Sequence, residues 1–118
     1  MSEHYKLLIA DDNVRARLGL RALLALRPEI EVVGEATDGN EAVRWVQDSQ
    51  PDVVLMDARM PQMDGLEATR QIKAHWPQVR VVVVSMYASH RAEALAAGAD
   101  AFLVKGCPAG ELLAAILE

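Results

Sequence analysis

The chain has 118 residues, of which 52% are hydrophobic and 25% are charged. This composition is typical of one globular domain with enough apolar side chains to build a core. The formal net charge of −5 argues against nucleic-acid binding by this stretch, because phosphate backbones are held mainly by clustered Lys and Arg.

Cysteine usage and the N-terminal residues bear on the cellular compartment. Cys107 is the only cysteine, so the chain can form no internal disulfide and no cysteine-rich zinc site, and we expect an ordinary small apolar residue there. The opening MSEHYKLLIADD has no basic segment followed by a long apolar run. No stretch approaches the roughly twenty apolar residues that span a bilayer. We therefore expect a cytoplasmic protein that makes no contact with a membrane.

Strands and helices are predicted to alternate along the chain. Short runs rich in Val, Ile and Leu indicate five strands, and the stretches between and after them have the apolar spacing of helices. The strand sequences are YKLLIA, EVVGEA, DVVLM, VRVVVVS and AFLV. Strict alternation, with strands that are almost continuously apolar, predicts a parallel sheet covered by helices on both faces.

Prolines and one glycine indicate where the predicted helices begin and end. The first helix should end before Pro28 and the third before Pro77, the fourth should end at the cap glycine Gly98, and the fifth should begin at Pro108. The second, third and fourth helices are predicted at about residues 39–49, 66–76 and 89–97. In the first helix the apolar spacing comes from Val14, Leu18, Leu20, Leu23, Leu24 and Leu26.

Polar side chains follow four of the predicted strands. Asp11 and Asp12 end the first strand, Asp57 the third, Ser85 the fourth and Lys105 the fifth. Because ligands of an open parallel sheet bind beyond the carboxyl ends of its strands, we expect these side chains to lie together. Each also has a simpler explanation on its own, as a helix cap, a turn residue or a solvated surface lysine.

Three carboxylates at one sheet edge would repel one another unless a cation or protons neutralised them. Ligands that are all oxygen favour a hard cation, and Mg²⁺ leaves room for phosphate oxygens. His4, His75 and His90 are scattered along the chain, and we predict exposed side chains for all three. A lysine and a hydroxyl beside Mg²⁺ meet the remaining needs of phosphoryl transfer. Asp57, at the end of a central buried strand, is then the candidate nucleophile.

From LLIADDN through VVLMDARMPQMDG and VVVVSMY to AGADAFLVKG, the chain resembles a response-regulator receiver domain of two-component signalling. The resemblance covers essentially the whole length and implies a single receiver domain at 1–118, with no output domain in this stretch. It also implies a flavodoxin-like (βα)5 doubly wound sandwich. The parallel sheet would have five strands in the order 2-1-3-4-5, with helices on both faces and a short fourth helix.

The resemblance assigns a role to each polar strand end. It implies that Asp57 is the phosphoacceptor, that Asp12 binds Mg²⁺ directly and that Asp11 does so mainly through water. The main-chain carbonyl of Arg59 would be a further metal ligand, and Lys105 would pair with the phosphoryl oxygens.

Two further residues match the positions that change on activation in this family. Ser85 would be the switch hydroxyl that moves to the phosphoryl group, and Phe102 matches the aromatic rotamer switch, although plain core packing is an equally simple role for Phe102. A sensor histidine kinase would be the phosphoryl donor. The domain would catalyse its own phosphorylation and dephosphorylation, as a signalling module and not as a turnover enzyme.

The segments GLRALL, VVGEATDGNEAV, MDARMPQMDGLEATR and LVKGCPAGEL are most similar to receivers of the LuxR/NarL-type helix-turn-helix regulators. This similarity implies control of transcription through a C-terminal helix-turn-helix output domain, and it allows a homodimer on phosphorylation. No basic recognition helix is present in this stretch, so we favour a fragment of a longer regulator over a stand-alone receiver.

Two features of the sequence depart from the family pattern. The segment between Ser85 and Lys105 is shorter than in the family, which shortens the fourth helix or the loop before it, and Gly106 stands where a proline is common.

Two other functions are alternatives to a receiver domain. An aspartate-based phosphatase would need an acid or base two residues after Asp57, where Arg59 stands. A module that uses the same sheet edge to bind a ligand without turning over phosphate remains a second alternative.

Overall fold

The computed structural model describes residues 4–117, and their strands and helices alternate as predicted. Glu118, the last residue of the sequence, lies outside these residues. The elements are β1 (Tyr5–Ala10), α1 (Val14–Leu24), β2 (Ile30–Ala36), α2 (Gly39–Ser49), β3 (Val53–Asp57), α3 (Gly65–His75), β4 (Arg80–Ser85), a 3₁₀ turn (Ala88–His90), α4 (Arg91–Ala96), β5 (Ala101–Val104) and α5 (Ala109–Leu117).

All pairings between the strands are parallel, and the strand order β2-β1-β3-β4-β5 confirms the expected doubly wound sheet. The central strand β3 is buried along its whole length. Its register pairs Met56 with Ala10 and Asp57 with Val84, and Ser85 of β4 pairs with Val104 of β5. The residues that end β1, β3, β4 and β5 therefore meet at one edge of the sheet.

Two hydrophobic cores lie on opposite faces of the sheet, because successive side chains of a strand point to opposite sides. On one face Val54 and Met56 pack with buried residues of α2, α3 and α4. On the other face Leu55 packs with Leu24 of α1 and with Ile116 of α5. The predicted cover of helices on both faces is thus confirmed.

The first helix ends earlier than its apolar spacing predicts and buries only part of that pattern. α1 stops at Leu24, and Leu26 beyond it is 74% exposed. At 100° per residue, Leu20, Leu23 and Leu24 share the face toward the sheet, whereas Val14 points about a third of a turn and Leu18 about half a turn away from it. Val14 is 59% and Leu18 62% exposed, so these two do not belong to the core.

The short fourth helix is present, and a glycine ends it as predicted. Residues 88–90 form a 3₁₀ turn and α4 itself has six residues. Gly98 has φ +101°, and the N–H of the next residue, Ala99, donates to the carbonyl of Ala94. This left-handed position after a helix favours glycine. None of the helices within residues 4–117 combines the length and the apolar character needed to cross a bilayer.

Candidate functional site

Three carboxylates gather where β1 and β3 end. One oxygen each of Asp11, Asp12 and Asp57 lies within 4.8 Å of the others. Asp11 and Asp57 are buried, at 3% and 8% exposure, while Asp12 faces solvent. An all-oxygen cluster that is open on one side fits a hard cation such as Mg²⁺, which keeps several of its waters.

Lys105, directly after β5, places its ammonium against two of these carboxylates. Its Nζ lies 3.3 Å from Asp11 Oδ2 and 3.3 Å from Asp57 Oδ2. Burial lowers the pKa of Lys105, but the carboxylates of Asp57 and Asp11 raise it by more, and the net shift of its pKa is upward. The lysine therefore stays charged and gives the site a fixed cation.

The carboxylate of Asp57 is held in an environment that opposes its ionisation. Burial and the nearby charge of Asp11 raise the pKa of Asp57, and the attraction of Lys105 offsets them only in part. The Lys105 ammonium therefore does not fully offset the effects of burial and of the Asp11 charge on Asp57. The electrostatics of the site favour binding of an additional cation.

The loop after Asp57 is fixed by backbone contacts. The N–H of Arg59 donates to Asp57 Oδ1 at 3.4 Å, and the N–H of Gly65 donates to the carbonyl of Ala58 at 2.9 Å. Asp64 caps α3 by accepting from the N–H of Glu67. These bonds hold the start of α3 against the strand end that carries Asp57.

Ser85, at the end of β4, is buried and its hydroxyl is engaged on the side of α4. Its Oγ lies 2.6 Å from His90 Nδ1 and accepts from the N–H of Tyr87 at 3.1 Å. The main-chain carbonyl of Ser85 accepts from the N–H of Lys105 at 2.8 Å, but within residues 4–117 the Ser85 hydroxyl makes no hydrogen bond to Asp57 or Lys105. The hydroxyl thus lies at the same sheet edge as the carboxylates but is bonded elsewhere.

The prediction of an exposed His90 was wrong, whereas His4 and His75 are exposed. His90 is only 7% exposed, because the 3₁₀ turn before α4 directs its ring toward the end of β4. Its spacing from the buried Ala94 and Ala97, four and seven residues later, is the sequence signal that indicates the inner face of a helix.

Phe102 and Cys107 lie on opposite sides of the sheet. Phe102 is 4% exposed and belongs to the core on the α4 side, with the guanidinium of Arg91 5.3 Å from its ring centroid. Its position is that of a core residue, and its role as a rotamer switch stays a prediction. Cys107 is half-buried beside the other core, where burial and the charge of Glu111 raise the pKa of the thiol.

A cavity of about 300 Å³ opens beside the carboxylates on the face of α1 and α5. Asp11, Asp57 and Lys105 line its polar end, while Leu20 and Leu112 belong to its apolar wall. The acidic cluster is therefore reached from a concave surface and not only from the flat edge of the sheet.

A family model described as the response regulator receiver domain matches residues 7–117 of the chain. The transcriptional regulatory protein YhcZ of Bacillus subtilis is 42% identical over 110 residues, which is 92% of this chain and 51% of that protein. The transcriptional regulatory protein DegU of Brevibacillus brevis is 39% identical over 113 residues, 94% of this chain and 48% of that protein.

A solved structure shares both the fold and the sequence pattern. The two-component response regulator of the LuxR family from Aurantimonas sp. SI85-9A1 superposes with a TM-score of 0.91 at 33% identity, covering 98% of this chain and 84% of that one. The present chain spans about half the length of the curated relatives it matches.

Proposed function

The chain belongs to the family of response regulator receiver domains, and we propose that it accepts a phosphoryl group on Asp57 from a partner histidine kinase. One observation carries the proposal. The buried Asp57 carboxylate lies 3.3 Å from the Lys105 ammonium, within a cluster of three carboxylates. Positioning and charge neutralisation of this kind are the main requirements of phosphoryl transfer.

The cluster residues fit Mg²⁺ as a cofactor. Asp12 would bind the ion directly and Asp11 mainly through water, with Asp57 and the main-chain carbonyl of Arg59 as further ligands. When bound, the ion supplies positive charge opposite the phosphoryl oxygens. The upward pKa shift of Asp57 supports this assignment, since the Lys105 ammonium alone does not offset the effects of burial and of the Asp11 charge.

The transfer step uses Asp57 as nucleophile. A lone pair of its carboxylate forms the new oxygen–phosphorus bond while the phosphorus–nitrogen bond of the donor phosphohistidine breaks, and the electron pair of that bond stays on the ring nitrogen. Lys105 neutralises charge on the phosphoryl oxygens. Attack by water later releases phosphate and restores the carboxylate. The domain acts on its own side chain, so it is a signalling module and not an enzyme with an external substrate.

The phosphoryl group would then change the face formed by α4 and β5. Ser85 moves toward it as the switch hydroxyl, and Phe102 follows as the aromatic switch. A shift from about 1% to about 99% active form needs about 5.5 kcal/mol of differential binding. Charge-assisted hydrogen bonds from Ser85 and Lys105 supply about 1.5–3 kcal/mol each, which is the required scale.

The output of the switch lies outside the residues of this receiver. The relatives are transcriptional regulatory proteins about twice as long, which supports a C-terminal helix-turn-helix output domain in the full-length protein. The receiver itself binds no nucleic acid in this proposal, in keeping with its negative net charge. Phosphorylation would act in the cytoplasm and control that output, with a homodimer as one form of the active state.

Intact-mass measurement after incubation with acetyl phosphate and Mg²⁺ tests the proposal. We expect the wild-type chain to gain one phosphoryl group, and Asp57→Asn or a chelator to abolish the gain. Asp48→Asn is the matched control, since Asp48 is an exposed aspartate of α2, and it should be labelled like the wild type. If neither acetyl phosphate nor a phosphohistidine donor labels the folded wild type, a binding module without phosphate turnover replaces the receiver function.

A further inference from the structure

A chain of polar contacts links the acceptor loop to the hydroxyl of Ser85. Arg59, two residues after Asp57, places Nη2 3.4 Å from His90 Nε2, and His90 Nδ1 lies 2.6 Å from Ser85 Oγ. His90 is 7% and Ser85 2% exposed. The ring of Tyr87 contacts the His90 ring edge-on, with 5.5 Å between centroids. The imidazole is thus held between the two groups on opposite sides of its ring.

The donor and acceptor roles in this chain follow from the guanidinium. An arginine side chain only donates hydrogen bonds, so His90 Nε2 is the acceptor. In the neutral imidazole the other nitrogen then carries the proton, and Nδ1–H donates to Ser85 Oγ. The N–H of Tyr87 donates to the same oxygen. Both lone pairs of the Ser85 hydroxyl are therefore occupied on the side of α4.

This arrangement opposes the movement that the receiver function requires. Ser85 Oγ can approach a phosphoryl group on Asp57 only by leaving His90, the residue that directly precedes α4. The distance of 2.6 Å joins two buried groups and is short for a hydrogen bond between nitrogen and oxygen. Loss of this bond is therefore part of the free energy of switching.

We propose that His90 is a positioning residue that holds the Ser85 hydroxyl away from Asp57 in the unphosphorylated protein. This inference rests on the proposed receiver function and concerns how that function is regulated. Breaking the His90–Ser85 bond releases the hydroxyl toward the phosphoryl group and frees the start of α4 at the same moment. Removal of the bond by mutation makes the phosphorylated arrangement easier to reach.

Binding of beryllofluoride, an analogue of the phosphoryl group, in the presence of Mg²⁺ measures this effect on the whole chain. The side chains of Leu and Asn both branch at Cγ, as the side chain of His does. Of the two, only Asn keeps a hydrogen-bond donor at the position of Nδ1. We expect His90→Leu to bind beryllofluoride about fivefold more tightly than the wild type, the factor that equals about 1 kcal/mol, one net hydrogen bond. His90→Asn should bind with wild-type affinity.

His75→Leu is the matched control, because His75 is exposed on α3, and it should leave the affinity unchanged. Equal or weaker binding by a folded His90→Leu chain overturns the inference, as does a His90→Asn chain that behaves like His90→Leu. If the wild type binds no beryllofluoride and takes up no phosphoryl group, the receiver function fails and the inference with it. Wild-type binding with unchanged His90 variants overturns the inference alone.

A measurement on the wild type covers the case in which His90→Leu does not fold. The ¹⁵N signals of the His90 ring should show the Nδ1–H tautomer in the free protein. On saturation with beryllofluoride, the Nδ1 signal of His90 should shift while that of His75 stays in place. An Nε2–H tautomer, or an Nδ1 signal that does not respond, contradicts the proposed hold on Ser85.

Discussion

Asp57 combines a buried position with a negative charge, and this combination costs the fold stability. The side chain is 8% exposed and faces Asp11 across the strand ends. The pKa of Asp57 is above its ordinary value of 3.8 because of burial and the charge of Asp11. The folded chain therefore binds this proton more tightly than the unfolded chain, and ionisation of Asp57 favours unfolding.

We predict that Asp57→Asn stabilises the metal-free protein at pH 7, by about 1 kcal/mol or about 4 °C in melting temperature for a domain of this size. The gain should shrink as the pH falls through the folded-state pKa toward 3.8, since wild-type Asp57 is then protonated and neutral as well. Thermal unfolding in chelator between pH 4 and 7 checks both statements. A gain that is absent at pH 7, or that does not depend on pH, contradicts the electrostatic explanation.

Residues of the candidate site could be predicted from the sequence where they lie at the end of a predicted strand. Asp57, Ser85 and Lys105 each follow an apolar run, and the parallel sheet brings such positions to one edge. His90 was missed because its environment depends on how the short segment before α4 turns back onto the sheet. That geometry arises from tertiary packing, whereas the polarity of histidine alone predicts an exposed side chain.

Gly65 is a second position where contact with the candidate site limits which residue the fold can accommodate. A Cβ at this position would lie 1.8 Å from the carbonyl oxygen of Asp57, a backbone atom that cannot move away easily. We predict that Gly65→Ala destabilises the chain by about 1–3 kcal/mol and slows phosphorylation, because the start of α3 must shift away from Asp57. Urea unfolding and the rate of labelling by acetyl phosphate measure the two effects.

Gly19→Ala is the matched control for this substitution. A Cβ at Gly19 in α1 meets nothing within 4 Å, and Ala is favoured over Gly inside a helix by about 0.5–1 kcal/mol. Gly19→Ala should therefore stabilise the chain while Gly65→Ala destabilises it. Two shifts of the same sign would show that the contact with Asp57 does not decide the outcome.

At the scale of elements, helix ends were predictable where the local chemistry is strong. Pro77 and Gly98 end α3 and α4 near the predicted positions, and α2 has the predicted span. The end of α1 was placed too late because the apolar pattern continues through Leu26, whose N–H donates to the carbonyl of Leu23 in a tighter i→i−3 turn and not in the i→i−4 pattern of the α-helix. Apolar spacing indicates which residues are suited to burial, whereas the helix end is set by how the chain turns into β2.

The end of α2 carries a residue in a conformation that favours glycine. Gln50 has φ 42° and ψ 68°, and its N–H donates to the carbonyl of Val46. We predict that Gln50→Gly stabilises the chain by about 0.5–1 kcal/mol, because glycine adopts the left-handed region without the steric cost of a Cβ. The hydrogen bond that Gln50 accepts from Gln78 is exposed, so its loss weighs little.

Gln47→Gly is the comparison for Gln50→Gly on the same helix. Gln47 is exposed inside α2, where glycine costs about 0.8–1 kcal/mol relative to good helix formers. Urea unfolding of both variants should show opposite shifts of the midpoint. A Gln50→Gly chain that loses stability like Gln47→Gly would mean that the contacts of the Gln50 side chain outweigh the strain of its backbone.

At the scale of the whole molecule, the proposed metal site depends on folding, since its candidate ligands come from separate strands. Asp11 and Asp12 follow β1 and Asp57 ends β3, and the unfolded chain has no reason to bring them together. A cation that binds only the folded chain raises its stability by RT ln(1 + [L]/Kd), about 1.4 kcal/mol at tenfold the dissociation constant. We predict that Mg²⁺ raises the melting temperature of the wild type and that a chelator reverses the rise.

Two aspartate variants separate the site from general effects of charge in this measurement. Asp12→Asn should lose most of the Mg²⁺-dependent rise, because it removes the proposed ligand that faces solvent in the acidic cluster. Asp52→Asn should keep the rise, because Asp52 precedes β3 at the opposite edge of the sheet, where it accepts from the N–H of Lys6. An equal rise in all three proteins would indicate nonspecific screening by the ion and would count against a magnesium site at the strand ends.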